Sequence, residues 1–138
     1  MRFAGLFLLA GLALAQGPGY EPVANTGQLM QGMIDPASKA IAEAAKEAGP
    51  QDNRAWRGAM LNGLMLQEAA QMLKVSSRAK DQDGWMKATA ALGEAGAAVQ
   101  KAATAKDLAA FQAAAGTITA TCQGCHSVYR QRGGAKKQ

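Results

Sequence analysis

Residues 107–132, DLAAFQAAAGTITATCQGCHSVYRQR, form the most regular amphipathic stretch of the chain. Apolar or sulfur-bearing side chains recur there at intervals of three and four residues, at Leu108, Phe111, Ala115, Ile118, Cys122, Cys125 and Tyr129. Side chains at these intervals share one face of an α-helix. We therefore predict a helix over residues 107–132 whose apolar face lies against a core.

Three earlier segments show the same periodicity and predict helices over residues 26–48, 52–75 and 83–104. Good helix formers dominate these segments, and no stretch alternates apolar and polar residues with the period of a β-strand. Four amphipathic helices joined by short connections predict an all-α fold, an antiparallel four-helix bundle.

Pro36 lies inside the first predicted helix. Proline removes one backbone N–H and crowds the carbonyl four residues back, here that of Gly32. Either the helix bends at Pro36, or Asp35 caps a helix that begins there. Because the apolar spacing crosses Pro36 without changing phase, we predict a continuous, bent helix.

The first 15 residues have the features of a signal peptide cleaved after Ala15. Arg2 precedes a short apolar run that ends in the small-x-small pattern of Ala13-Leu14-Ala15. That run is shorter than the roughly 20 residues of a membrane-spanning helix. We expect export to the periplasm, a single domain over residues 16–138, and no stable membrane span after cleavage.

The chain carries a net charge of +5, and part of it is gathered in the C-terminal residues Arg130, Arg132, Lys136 and Lys137. Such a basic end favours docking onto acidic partner proteins. We expect no nucleic-acid partner, because the protein is predicted to be exported and no aromatic side chains interleave the basic ones.

Cys122-Gln123-Gly124-Cys125-His126 is a C-x-x-C-H sequence, the attachment pattern of haem c. On a helix, the two thiols and the imidazole share one face within a turn. Both thiols can then reach the two vinyl groups on one porphyrin edge, and the imidazole stands under the iron. We predict one covalent haem c near the C-terminal end of the fourth helix, held by Cys122 and Cys125, with His126 as an axial iron ligand.

Three other interpretations of these cysteines exist. A thioredoxin-like C-x-x-C requires strands, which the sequence does not predict. A structural zinc site requires four ligands, and the chain has two Cys and one His. A disulfide or two free thiols stay open, but neither explains why the single His follows the second Cys.

The sequence of residues 122–130, CQGCHSVYR, resembles the C-x-x-C-H-x-x-Tyr-Arg ending of the class II cytochromes c. These are the cytochrome c-prime family and its low-spin, Met-ligated relatives. The resemblance implies a haem at the C-terminal end of a four-helix bundle. It also implies that Tyr129 packs beside the haem and that Arg130 lies near its proximal side.

The low-spin relatives take the sixth iron ligand from a Leu-Met pair in the first helix. Leu29-Met30 matches that pair, so the resemblance implies Met30 as the distal ligand. Met33 is the second choice of ligand residue, and an open sixth position is the alternative to both.

A thioether ligand raises the haem potential and suits electron transfer, so we predict an electron carrier that exchanges electrons with redox donor and acceptor proteins. The alternative is a five-coordinate haem protein that binds nitric oxide or carbon monoxide. High-spin relatives often carry a basic residue in the first helix, whereas residues 20–38 contain no Lys or Arg, which speaks against a gas-binding role that depends on such a residue.

An enzyme is not predicted, because no acid–base group is convincingly placed on the distal side. The resemblance also allows a homodimer through the first two helices.

Overall fold

The structure is a computed structural model that describes residues 21–46 and 48–130. Its elements in chain order are α1 (Thr26–Leu29), a π-helical turn (Met30–Ile34), α2 (Asp35–Ala44), α3 (Asn53–Leu73), α4 (Gly84–Ala105) and α5 (Leu108–Tyr129). No strand occurs in this part of the chain. Since α1, the π turn and α2 follow one another directly, they form one rod, and the predicted all-α four-helix bundle is confirmed.

Side-chain caps explain where the first rod, α3 and α5 begin. Asn25 and Gln28 form a reciprocal capping box at the start of α1, with hydrogen bonds of 2.9 and 3.0 Å. Carboxylate oxygens of Asp52 and Asp107 accept from Ala55 N at 2.7 Å and from Ala110 N at 3.0 Å. These bonds satisfy backbone donors that have no partner inside a helix.

The predicted helix ends differ from the observed ones by up to four residues. The first rod ends at Ala44 rather than at residue 48, because the chain turns there and Gly49 takes a left-handed φ of 62° before Pro50. The second predicted helix ends at Leu73 rather than at residue 75. α4 ends at Ala105, and Lys106 adopts a left-handed φ of 54°.

Pro36 does not break the first rod. Backbone angles at Leu29, Met30, Ile34 and Asp35 are all right-handed helical. The Asp35 N–H donates to the Met30 carbonyl, which closes the wider π turn just before the proline. The prediction of a continuous helix is therefore confirmed, with a π turn that the sequence pattern does not reveal.

The bundle packs through α3 on α4, α4 on α5, and α2 on both α3 and α5. Leu66, Val99 and Phe111 are fully buried at its centre. α3 and α4 approach closely where Gly63 faces Gly96, since a Cβ built on either residue lies 2.8 Å from the other residue's carbonyl oxygen. Glycine is therefore required at this crossing.

Arg78, in the loop between α3 and α4, ties the start of the first rod to the end of α3. Its buried guanidinium donates to the Ala24 carbonyl through Nε at 3.0 Å and Nη2 at 2.7 Å, and to the Met72 carbonyl through Nη1 at 2.9 Å. The first rod therefore begins at the end of the bundle that holds this loop.

No helix within the described ranges has both the length and the apolar character needed to cross a membrane. The predicted signal peptide, and the basic residues after Arg130, lie outside the described residues.

Candidate functional site

The apolar face of α5 changes along its length. Phe111 and Ile118 are buried, with exposed fractions of 0% and 3%. Cys122, Cys125 and Tyr129 continue the same stripe but are only half-buried, and His126 is exposed in the last turn. The stripe thus opens toward solvent where the C-x-x-C-H motif lies.

Both cysteines lie in partly apolar surroundings and are in no disulfide among the described residues. Burial raises the pKa of the Cys122 thiol, the Ser38 hydroxyl opposes that rise, and the Asp35 carboxylate adds to it. Burial also raises the pKa of the Cys125 thiol, and the neighbouring Cys122 adds to the rise. The surroundings of both sulfur atoms therefore disfavour a charged thiolate.

The first rod supplies the opposite wall of this region. α2 packs on α5, and its Ser38 lies beside Cys122. Met30 and Met33, on the π turn that precedes α2, are half-buried and packed against the core. The structure thus brings α2 next to the haem motif and places both candidate methionines on the turn just before it.

Tyr129 is held from two sides. Its hydroxyl donates to the Asp81 carboxylate at 2.6 Å, and its ring meets Trp85 edge-to-face at 5.1 Å. The hydrogen bond raises the pKa of Tyr129 to about 12 and lowers the pKa of the Asp81 carboxyl. Gly84 leaves the space that the phenol occupies, because a Cβ there would clash with the hydroxyl oxygen of Tyr129.

Asp81 also caps α4, accepting from the backbone N–H groups of Asp83 at 3.0 Å and Trp85 at 2.9 Å. The Trp85 indole in turn donates to the Leu73 carbonyl at 2.7 Å. One carboxylate therefore joins the start of α4 to the last turn of α5, beside the C-x-x-C-H motif.

Arg130 lies outside the packed core. Its side chain is exposed, its backbone is extended, and its N–H donates to the His126 carbonyl at 3.3 Å. The predicted roles of Tyr129 and Arg130 toward the haem stay predictions, since the contacts described above are with protein groups.

The chemistry of this donor set fits a haem c. Two half-buried thiols and an exposed imidazole share the last two turns of one helix, as thioether links to one porphyrin edge require. The Ser38 hydroxyl oxygen, beside one of those thiols, is buried without a hydrogen-bond partner among the described residues. Nor do those residues hold any group of three or more His, Cys, Asp or Glu arranged to bind a metal ion.

Four residues around the motif are not predicted from the sequence: Ser38, Asp81, Gly84, and Trp85 in its contact with Tyr129. Ser38 carried a usable signal, because it is a polar residue between the apolar positions Ala37 and Ile41 of the first helix. The partnership of Asp81 with Tyr129 spans 48 residues and had no local signal.

Comparisons with curated proteins and with solved structures gave no significant match. The family model described as Cytochrome C' matches residues 23–130, which include the four rods and the C-x-x-C-H motif. That match covers most of the chain and agrees with the bundle, with the thiols and imidazole on one face of α5, and with the resemblance in residues 122–130. The protein therefore belongs to the cytochrome c' family and is a haem c protein.

Proposed function

We propose that the protein is a periplasmic electron carrier whose haem iron is bound by His126 and Met30. The observation that carries this proposal is the placement of Met30 at the first residue of the π turn. Arg78 and the loop after α3 tie the start of that rod to the end of the bundle where Asp81 holds Tyr129. Met30 therefore lies toward the end of the bundle that carries the haem motif.

When bound, the haem supplies one-electron exchange between ferric and ferrous iron. The chain's part would be to hold and orient it: Cys122 and Cys125 would tether the porphyrin, and His126 and Met30 would be the ligands of the iron. The soft thioether of Met30 favours the ferrous state and raises the potential. We propose a carrier rather than an enzyme on this ligand set.

The π turn supports Met30 as the ligand in preference to Met33. Leu29 is buried beside Met30, and the Met30 carbonyl accepts the closing hydrogen bond of the turn from Asp35 N–H. The backbone of Met30 is therefore held by the buried residue before it and by the closing hydrogen bond of the turn. π turns of this kind often occur at functional sites.

Absorption spectra of the purified protein in both redox states test the ligand. We expect low-spin spectra, with the weak red band of Met-to-ferric coordination, in the wild type and in Met33→Ala, and loss of that band in Met30→Ala. Met33→Ala is the matched control because it removes the same side chain from the same turn. High-spin wild-type spectra that change on adding carbon monoxide would contradict the carrier and favour a gas-binding protein.

We also propose that the basic C-terminal end docks on an acidic redox partner. Arg130 is exposed at the end of α5, close in sequence to His126. The rate of electron exchange with an acidic partner should therefore fall as ionic strength rises.

We also propose a homodimer that forms through the first rod and α3. The apolar side chains of Leu61 and Met65, exposed on the outer face of α3, support this proposal.

A further inference from the structure

The hydroxyl oxygen of Ser38 is buried and has no hydrogen-bond partner among the described residues. A buried hydroxyl that has left water and found no partner is unfavourable, and most such groups in native proteins are paired. The Ser38 hydroxyl, on α2 where that helix packs against α5, therefore needs a hydrogen-bond partner.

The other hydroxyl side chains of α2 to α5 behave differently. Each serine or threonine among them donates to a carbonyl one turn back in its own helix, at 2.7 to 3.3 Å, and they are Thr89, Thr104, Thr117, Thr119, Thr121 and Ser127. This is the usual solution for Ser and Thr inside a helix. The Tyr129 hydroxyl donates to Asp81. Ser38 makes no such bond to the Ile34 carbonyl, so its hydroxyl is left for a group outside its own helix.

The neighbour of this hydroxyl is the sulfur of Cys122. α2 packs on α5, and Ser38 lies close enough to lower the pKa of the Cys122 thiol against the larger opposite effect of burial. The Asp35 carboxylate, which also acts on Cys122, is instead paired with Lys39 at 2.7 Å. Ser38 is thus the neutral donor beside this sulfur.

We propose that Ser38 donates a hydrogen bond to the sulfur of Cys122 when that sulfur is a thioether of the haem, and that this bond raises the haem potential. The inference rests on the proposed function, because it requires the thioether. A thioether sulfur has no proton and acts only as a weak acceptor. A donor to it withdraws electron density from the porphyrin edge and favours ferrous iron, since hydrogen bonds around the haem tune its potential.

Two measurements on the haem-loaded protein test this role. In Ser38→Ala, we expect the ferric–ferrous equilibrium at fixed solution potential to shift about threefold toward ferric, because only part of a neutral hydrogen bond depends on oxidation state. In resonance Raman spectra, the carbon–sulfur stretching band should shift in deuterated water for the wild type and not for Ser38→Ala. Ser127→Ala is the matched control, since it removes a hydroxyl from the same end of the bundle that already donates to the Gly124 carbonyl at 2.7 Å.

An unchanged potential in Ser38→Ala, or a wild-type carbon–sulfur band that does not respond to deuterium, would overturn the inference. A pyridine haemochrome assay, which measures covalently bound haem, distinguishes a failure of this inference from a failure of the proposed function. Wild-type protein that carries no covalent haem would overturn both, whereas full haem content with an unaltered Ser38→Ala potential would overturn only the role of Ser38.

Discussion

Adding one methyl group at Gly63 tests the packing of the bundle most directly. The new Cβ would lie 2.8 Å from the backbone nitrogen of Gln100 and 2.8 Å from the carbonyl oxygen of Gly96, where ordinary contact begins at 3.4 Å. Both neighbours are backbone atoms of α4 and cannot rotate away. α3 and α4 must therefore move apart, which loosens the contacts of the buried Leu66 and Val99.

The expected cost follows from two opposing effects. Overpacking of a tight interface costs about 1–3 kcal/mol. Replacing glycine by alanine inside a helix recovers about 1 kcal/mol of helix propensity. We therefore expect Gly63→Ala to lower the free energy of unfolding by about 0–2 kcal/mol, near the upper end of that range if α4 cannot shift.

Urea denaturation of the haem-loaded protein, followed by far-UV circular dichroism, measures this loss. Gly58→Ala is the matched control, because Gly58 lies in the same helix and no atom lies within 4 Å of its added Cβ. That variant should gain up to about 1 kcal/mol. A Gly63→Ala protein as stable as Gly58→Ala would refute the close approach of α3 and α4.

Three further predictions concern other positions. Tyr129→Phe should be less stable than the wild type between pH 3.8 and 10, the ordinary pKa values of Asp81 and Tyr129. Its deficit should vanish as pH falls below the lowered pKa of Asp81 or rises toward 12, which denaturation across pH would show. Lys106→Gly should raise the free energy of unfolding by about 1 kcal/mol, because glycine adopts a left-handed φ without strain. Urea denaturation would show no gain if Lys106 were unstrained. Phe111→Ala should cost about 3–5 kcal/mol in the same assay, since the ring is fully buried and meets Trp56 edge-to-face at 5.6 Å. A loss below about 1 kcal/mol would contradict that packing.

The sequence predicts the four rods and their inner faces because helical periodicity is a local property. Phe111 and Ile118, both expected to face the core, are buried. The end of the first rod is harder to predict, because alanines continue the apolar pattern to residue 48 and alanine is equally tolerated in a turn. The sequence pattern does not predict the π turn for a related reason. With one extra residue in the helix, the apolar positions are still three or four residues apart.

The motif at residues 122–126 is recognisable from sequence because its members share two turns of helix. The residues that surround it come from distant parts of the chain. Asp81 reaches Tyr129 and Ser38 reaches Cys122 only after α2 and α4 have packed on α5. Such pairings depend on tertiary structure, so a single sequence could not predict them.

The π turn allows the first rod to hold one extra residue. It has one residue more than a regular turn, and Gly32 within it has no atom within 4 Å of an added Cβ. The Asp35 N–H already bonds the Met30 carbonyl across this turn, so in-frame loss of Gly32 would make that bond the ordinary one between residues four apart. Met30 would then keep its place relative to α2. A three-nucleotide deletion at this position should therefore leave the bundle and the orientation of Met30 intact.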